Sequence, residues 1–263
     1  MNIVEERREV NPAFEIGASS ILGTRSYQQD YGYFYTSSEE VLAIVCDGMG
    51  GLEGGERASQ TAVHQMAQDF HNTPNLGYVP DFFKWTAQRM DQAVCALRSQ
   101  DGKPLHAGTT LVAVYCKGNQ MYWVSVGDSK IYMIRGNEIV SINREHNYRL
   151  QLQMQLEAGL IDQEFYRKEE KTPKAEALIS FIGMDNVKYI DVNPNPIELQ
   201  QGDIIVICSD GIYKSLNESQ VCAMVRDNDL DMNIAADRLT GMAQRYGVRG
   251  QDNTTAIMLE YRG

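Results

Sequence analysis

The chain has no apolar run long enough to cross a bilayer, and its first ten residues, MNIVEERREV, are charged and hold no apolar signal core. Neither a spanning helix nor a leader is therefore expected. Positive charge is scarce too. The 24 Lys and Arg face 35 Asp and Glu, a formal net charge of -11, and no Lys/Arg stripe is visible. Such a balance repels phosphate backbones and anionic membrane surfaces, which argues against nucleic acid and membrane as partners and suits a site that holds cations. Cysteine occurs five times, without any C-x-x-C spacing, at Cys46, Cys95, Cys116, Cys208 and Cys222. Reduced, buried thiols in a cytoplasmic protein fit that pattern. Histidine offers no zinc site: His64 and His71 could share a helix face but have no third ligand nearby in sequence, and His106 and His146 are isolated. Repeats, low-complexity tracts and linker-like stretches are missing as well. Residues 1–263 are expected to form one domain, and 43% hydrophobic content is enough to fill its core.

What the chain does have is a dense succession of short periodic segments. FEIGASS and YGYFYT alternate as strands, and VLAIVC, residues 41–46, is a third. Residues 55–70 place Ala58, Ala62, Met66 and Phe70 on one helix face, and Phe83, Ala87, Met90, Val94 and Leu97 do the same for a second helix. TTLVAVYC, QMYWVSV, KIYMIR and EIVSI then follow closely, with Gly118-Asn119 and Gly136-Asn137 as turn signals, which predicts an antiparallel meander. Residues 143–185 are weakly periodic and mixed in charge, and predict a helical insertion over the sheet. DIIVICSDG, a helix with Ala235, Leu239, Met242 and Tyr246 on one face, and NTTAIMLEY complete the chain. Runs of strands and runs of helices, without strict alternation, predict an α+β fold with antiparallel sheets packed between helices.

Four aspartates fall where strands end. Asp47 closes VLAIVC, Asp128 follows MYWVSVG, Asp210 follows DIIVICS, and Asp252 precedes the last strand. Asp before Gly is an ordinary turn former, so each alone means little. Central strands of packed sheets bring their ends together, however, and carboxylates so gathered do not all stay ionised without a cation. Asp47, Asp210 and Asp252 are expected to crowd together with no positive side chain near them in sequence, so a metal-free site is expected to be strained. Oxygen donors without His or Cys suit Mg²⁺ or Mn²⁺. The five glycines between positions 48 and 55 do not fit G-x-G-x-x-G, and no Gly-Lys-Ser/Thr follows them, which sets aside dinucleotide and P-loop readings. Close backbone approach remains, with the Gly48 carbonyl available to a metal held by Asp47.

The stretch CDGMGGLEGGERAS resembles the DGMGGH..GE.AS motif of the metal-dependent protein phosphatases of type 2C. GTRSYQQD, AGTT, GDSKIY, CSDGIY and GQDNTTAI follow the family order, so the resemblance runs from about residue 14 to the end. It implies a four-layer αββα sandwich, two antiparallel sheets flanked by helices, with a flap at 143–185. It also implies that Asp47 bridges two Mg²⁺ or Mn²⁺ ions, one of them bound by the Gly48 carbonyl and the other by Asp210 and Asp252. Asp30 would act through water, Arg25 would grip the substrate phosphate, and Asp128 would recruit a third ion as in many bacterial members. The implied reaction is direct attack of metal-activated water on phosphoserine or phosphothreonine in proteins, without a phosphoenzyme. No Cys-x5-Arg pocket for one is present. Three positions depart from the motifs: Leu52 and Met49 stand where histidines occur, and Lys130 replaces the arginine of GDSR. The form resembled is the stand-alone bacterial one, a cytoplasmic monomer whose partners are phosphoproteins and a cognate Ser/Thr protein kinase. The rival expectation is an inactive pseudophosphatase that serves as a binding module.

Overall fold

The computed structural model describes residues 2–50, 54–226, 231–247 and 250–263. One sheet runs β1 (Ile3–Arg7), β3 (Asp30–Thr36), β4 (Glu40–Met49), β6 (Leu111–Lys117), β7 (Gln120–Val126), with β5 (Gly108–Thr109) added on β4 and both β10 (Asp191–Val192) and β11 (Ile197–Glu198) on β7. The other runs β2 (Phe14–Ile21), β13 (Thr254–Tyr261), β12 (Ile204–Cys208), β8 (Lys130–Arg135), β9 (Glu138–Ser141). All neighbours pair antiparallel except β1 with β3.

Strand β4 explains the layering. Val41, Ala43 and Val45 enter the core between the sheets with Val112, Val114, Ile205, Ile207 and Ile257. Leu42, Ile44 and Cys46 point the other way, against α1 (Gly54–His71) and α2 (Val79–Cys95). A strand buried on both faces needs a continuous apolar run, which is what VLAIVC supplies. On the far side Val206, Ala256 and Met258 pack on α6 (Glu218–Val225) and α7 (Met232–Tyr246). The order of layers is helix, sheet, sheet, helix, as expected. The two glycine-asparagine turns close the β6–β7 and β8–β9 hairpins.

The insertion holds α3 (Tyr148–Glu157), α4 (Gln163–Glu169) and a 3-10 turn, Pro173–Glu176. Helix α3 packs on α4 and on that turn, and Leu152 is its one buried residue. The polar opening of the chain, to which the sequence assigns no element, forms a strand: β1 buries Ile3 and leaves its other side chains wholly or partly exposed, so it shows no apolar alternation. Strand β4 also runs three residues past the apolar segment, which places Asp47 inside the strand and pairs Gly48 with Thr109. The short helix α5 (Asp210–Tyr213) begins at Asp210.

Candidate metal centre

A cavity of about 290 Å³ opens at the end of the sandwich where β4, the β7–β8 turn, α5 and the loop before β13 meet. Arg25, Asp47, Gly48, Asp128, Asp210 and Asp252 all line it, so the chain brings together six of the seven residues singled out in the sequence. The seventh, Asp30, sits behind the wall, directly opposite Asp47 in the β3–β4 ladder and 1% exposed.

Contacts to the backbone and to neighbouring hydroxyls hold the strands and loops that carry these side chains. The Asp47 carbonyl accepts from the Thr110 N–H and the Thr109 hydroxyl, both at 2.9 Å, and its N–H donates to Thr110 Oγ1 at 3.0 Å. Thr110 Oγ1 also meets Ser129 Oγ at 2.7 Å, which ties the Asp47 strand to the Asp128 turn. Gly48 is required by close approach: a Cβ there would lie 2.0 Å from the Gly55 carbonyl oxygen in the first turn of α1. Ser209, just ahead of Asp210, donates to Asp30 Oδ2 at 2.7 Å. Asn253, beside Asp252, accepts from the Gln29 N–H at 2.8 Å and donates to the Leu22 and Tyr27 carbonyls at 2.9 and 3.0 Å. That one side chain fixes the loop that carries Arg25.

Electrostatics follow from the crowding. Burial pushes the Asp47 carboxyl well above its ordinary range, and Asp30, Asp210, Asp128 and Asp252 push it further. Burial likewise raises Asp30 to about 7, with Asp210 and Asp252 adding to it against the hydrogen bond from Ser209. Asp128 rises to about 6 through burial and the charge of Asp210.

Two cations answer part of this charge, and one of them, Lys214, corrects the expectation that none stands near in sequence. Lys214, four residues after Asp210, bonds to Asp210 Oδ2, and Arg25 Nη2 donates to Asp252 Oδ2 at 2.6 Å. Among the described residues no three His, Cys, Asp or Glu side chains are drawn together as a ready metal cage. The donor chemistry nevertheless fits a hard cation, because Asp30 Oδ1 and Asp210 Oδ1 are buried oxygens without a hydrogen-bond partner and every candidate ligand is oxygen. Met49 lines the cavity at the place of one family histidine, and Leu52 lies outside the described residues.

The family model for protein phosphatase 2C matches residues 17–239. The chain belongs to that family. Among curated relatives, the serine/threonine phosphatase stp of Listeria monocytogenes is 26% identical over 241 residues, 90% of this chain and 91% of that protein. Among solved structures, the Streptococcus agalactiae serine/threonine phosphatase has a TM-score of 0.81 at 24% identity, covering 95% of this chain and all of that one (100%). The catalytic domain of the phosphatase PstP in complex with two manganese ions has a TM-score of 0.72 at 23% identity over 95% of this chain and 99% of its own. The family match includes Arg25, Asp30, Asp47, Gly48, Asp128 and Asp210 but stops before Asp252, which the Arg25 pair and Asn253 place at the same cavity.

The sequence alone points to no role for Thr110, Ser209, Asn253, Lys214 and Leu178. AGTT, CSDGIY and GQDNTTAI contained the first three, and the i, i+4 spacing of Asp210 and Lys214 was a usable signal for the fourth. Leu178 had none, since it reaches the cavity only through the fold of the insertion.

Proposed function

We infer that this chain hydrolyses phosphoserine and phosphothreonine in proteins with the help of divalent cations. The observation that carries the reading is the single cavity that gathers four carboxylates and one guanidinium, with a buried Asp210 oxygen left without a partner. Asp47, the Gly48 carbonyl, Asp210 and Asp252 would hold two Mg²⁺ or Mn²⁺ ions, and Asp128 a third. Bound there, the ions would supply Lewis acidity and a nucleophile at neutral pH. The remaining work belongs to the chain. Asp30, opposite Asp47 in the β3–β4 ladder, would act on the cations through water and add negative charge behind Asp47. Arg25, 57% exposed at the cavity, turns from Asp252 to the substrate phosphate once cations take over that carboxylate's charge, and its planar fork suits two phosphate oxygens. Asp128 lines the same cavity and Lys214 bonds to Asp210 beside it; Met49 has no proton to give, so the departing serine or threonine oxygen would take its proton from water held near Asp128.

The chain as one catalytic domain, a cytoplasmic setting, a monomeric state, and phosphoproteins with their Ser/Thr kinase as partners complete the proposal. Nothing at the site favours the binding-module alternative, because every carboxylate and the arginine are in place. Turnover of p-nitrophenyl phosphate by the purified chain with Mn²⁺, abolished by chelator, tests the reading. Asp47→Asn, which loses the charge and the bridging geometry, is expected to lower kcat by several orders of magnitude, and near wild-type kcat in saturating Mn²⁺ would sink it.

A further inference from the structure

His146, isolated in sequence, is fully buried in the loop between β9 and α3, with 0% of its surface exposed. Its backbone N–H donates to the Gly127 carbonyl at 2.8 Å, and its Nδ1 accepts from the Gly127 N–H at 3.2 Å. A ring nitrogen that accepts leaves the proton on the other, so Nε2 carries it and faces Asp191 Oδ2 at 3.3 Å. The His146 carbonyl accepts from the Ile179 N–H at 2.9 Å, and the next residue, Asn147, bridges to Leu178. One buried residue thus joins two walls of the cavity, for Gly127 directly precedes Asp128 and Leu178 lines the opening.

Adjacent contacts complete the grip. Asn143 Oδ1 accepts from the Ile131 N–H at 2.8 Å, and Asn143 Nδ2 donates to the Ser129 carbonyl at 2.9 Å. Glu145 Oε1 pairs with Lys130 Nζ at 2.9 Å, the lysine that replaces the family arginine. Residues 127, 129, 130 and 131 are therefore all held from the segment 143–146, and Asp128 lies in their midst. Gly127 has a φ of +98°, and a Cβ there would meet the Thr110 side chain at 2.8 Å, so the turn has one tight backbone course to follow.

We propose that His146 is a positioning residue for the phosphatase reaction: its acceptor Nδ1 on the Gly127 N–H sets the Asp128 carboxylate in the cavity and couples that placement to the flap segment bearing Leu178. The role rests on the function proposed above. It requires an acceptor at the Nδ1 position, not merely a side chain of similar bulk. An asparagine carboxamide oxygen falls at that position, whereas a glutamine carboxamide falls at the Nε2 position and leaves Gly127 N–H without an acceptor.

The test compares His146→Asn with His146→Gln in the full chain. Expected for His146→Asn are a kcat within about threefold of wild type and a protected Gly127 amide in hydrogen exchange. Expected for His146→Gln are a kcat lower by about tenfold to a hundredfold, the range of an ångström-scale misplacement, with KM for p-nitrophenyl phosphate changed less. The Gly127 amide should exchange faster, and Mn²⁺ binding by calorimetry should weaken or lose a site. Equal kcat in the two variants, or an equally protected Gly127 amide, would overturn the proposal even if both melt earlier than wild type, because a packing role alone lowers stability without separating them. Inert wild-type protein would instead sink the phosphatase reading, while exchange and Mn²⁺ binding still report whether His146 positions the Asp128 turn.

Discussion

Lys214 and a divalent cation would be rivals for one carboxylate, that of Asp210. The ammonium already bonds to Asp210, and the charges of Asp210, Asp128 and Asp47 raise its pKa against the effect of burial. Lys214→Met keeps the apolar stem and removes the rival, so Mn²⁺ is expected to bind more tightly. The gain is modest, about fivefold at most, because the side chain is half exposed and its pair is screened. Unchanged Mn²⁺ affinity by calorimetry would show that the ammonium does not compete, and weaker affinity that Lys214 helps to hold the site open. Arg25 differs, since its contact with the phosphate would exist in ground and transition states alike. Arg25→Ala is expected to raise KM for a phosphopeptide about tenfold or more and to change kcat less, which steady-state kinetics would read directly. Residue by residue, the sequence showed the carboxylates, because Asp at the end of an apolar run is visible in one line of text. Their partners were harder to see. Arg25 and Asp252 lie 227 positions apart, and only the closing of β2, β3 and β13 at one end of the sandwich brings them together.

At the scale of elements, one buried carboxylate anchors the end of the flap. Asp91 on α2 accepts from three backbone N–H groups, those of Gly183 at 2.6 Å, Met184 at 3.0 Å and Asn186 at 2.9 Å. That loop runs through positive φ at Gly183, Asp185 and Asn186, and it leads back to Ile182, which exchanges hydrogen bonds with Thr109 beside Asp47. Asp91→Asn leaves one acceptor where two were used and adds an N–H2 toward a ring of donors. A loss of about 1–3 kcal/mol is expected in urea unfolding, with faster proteolysis in 177–186. A loss below a few tenths of a kcal/mol would mean that the loop keeps its course without the carboxylate. The helices α1 and α7 and most strands were legible because their buried faces are apolar at the right period. The strand β1 and the helix α6 were not. The first buries only Ile3, and the second is announced by a capping box, Asn217 with Gln220, and not by a long apolar stripe. The flap helices showed only as weak periodicity, since they pack on each other and bury little.

For the whole molecule, the cluster of carboxylates turns stability into a function of pH and metal. In metal-free protein Asp47, Asp30 and Asp128 all have raised pKa values, Asp30 about 7 and Asp128 about 6, first through burial and then through neighbouring charge. A carboxyl raised on folding binds protons that the unfolded chain, with an ordinary value of about 3.9, has already released, so stability falls as pH rises through that window. Asp191 has the opposite sign: burial raises it, but His146 and Arg144 more than reverse this and hold it below the usual range. Its contribution is present above about pH 4 and fades below. Chelated protein is therefore expected to melt highest at about pH 4–6 and lower at pH 8. Mn²⁺ at about 100 times its dissociation constant should reverse the alkaline loss by roughly 2.7 kcal/mol per site. Because Arg25 and Lys214 already pair with Asp252 and Asp210, the strain concentrates on Asp47, which has no such partner among the described residues. Asp47→Asn should then melt no lower than wild type in chelator at pH 8, show a flatter decline between pH 5 and 8, and gain little from Mn²⁺. Calorimetric melting across pH with and without Mn²⁺ checks all three. A wild-type curve that stays flat from pH 5 to 8 in chelator, or that ignores millimolar Mn²⁺, would show that these aspartates neither repel one another nor share a cation, and the four-layer fold would keep its shape without the chemistry assigned to its open end.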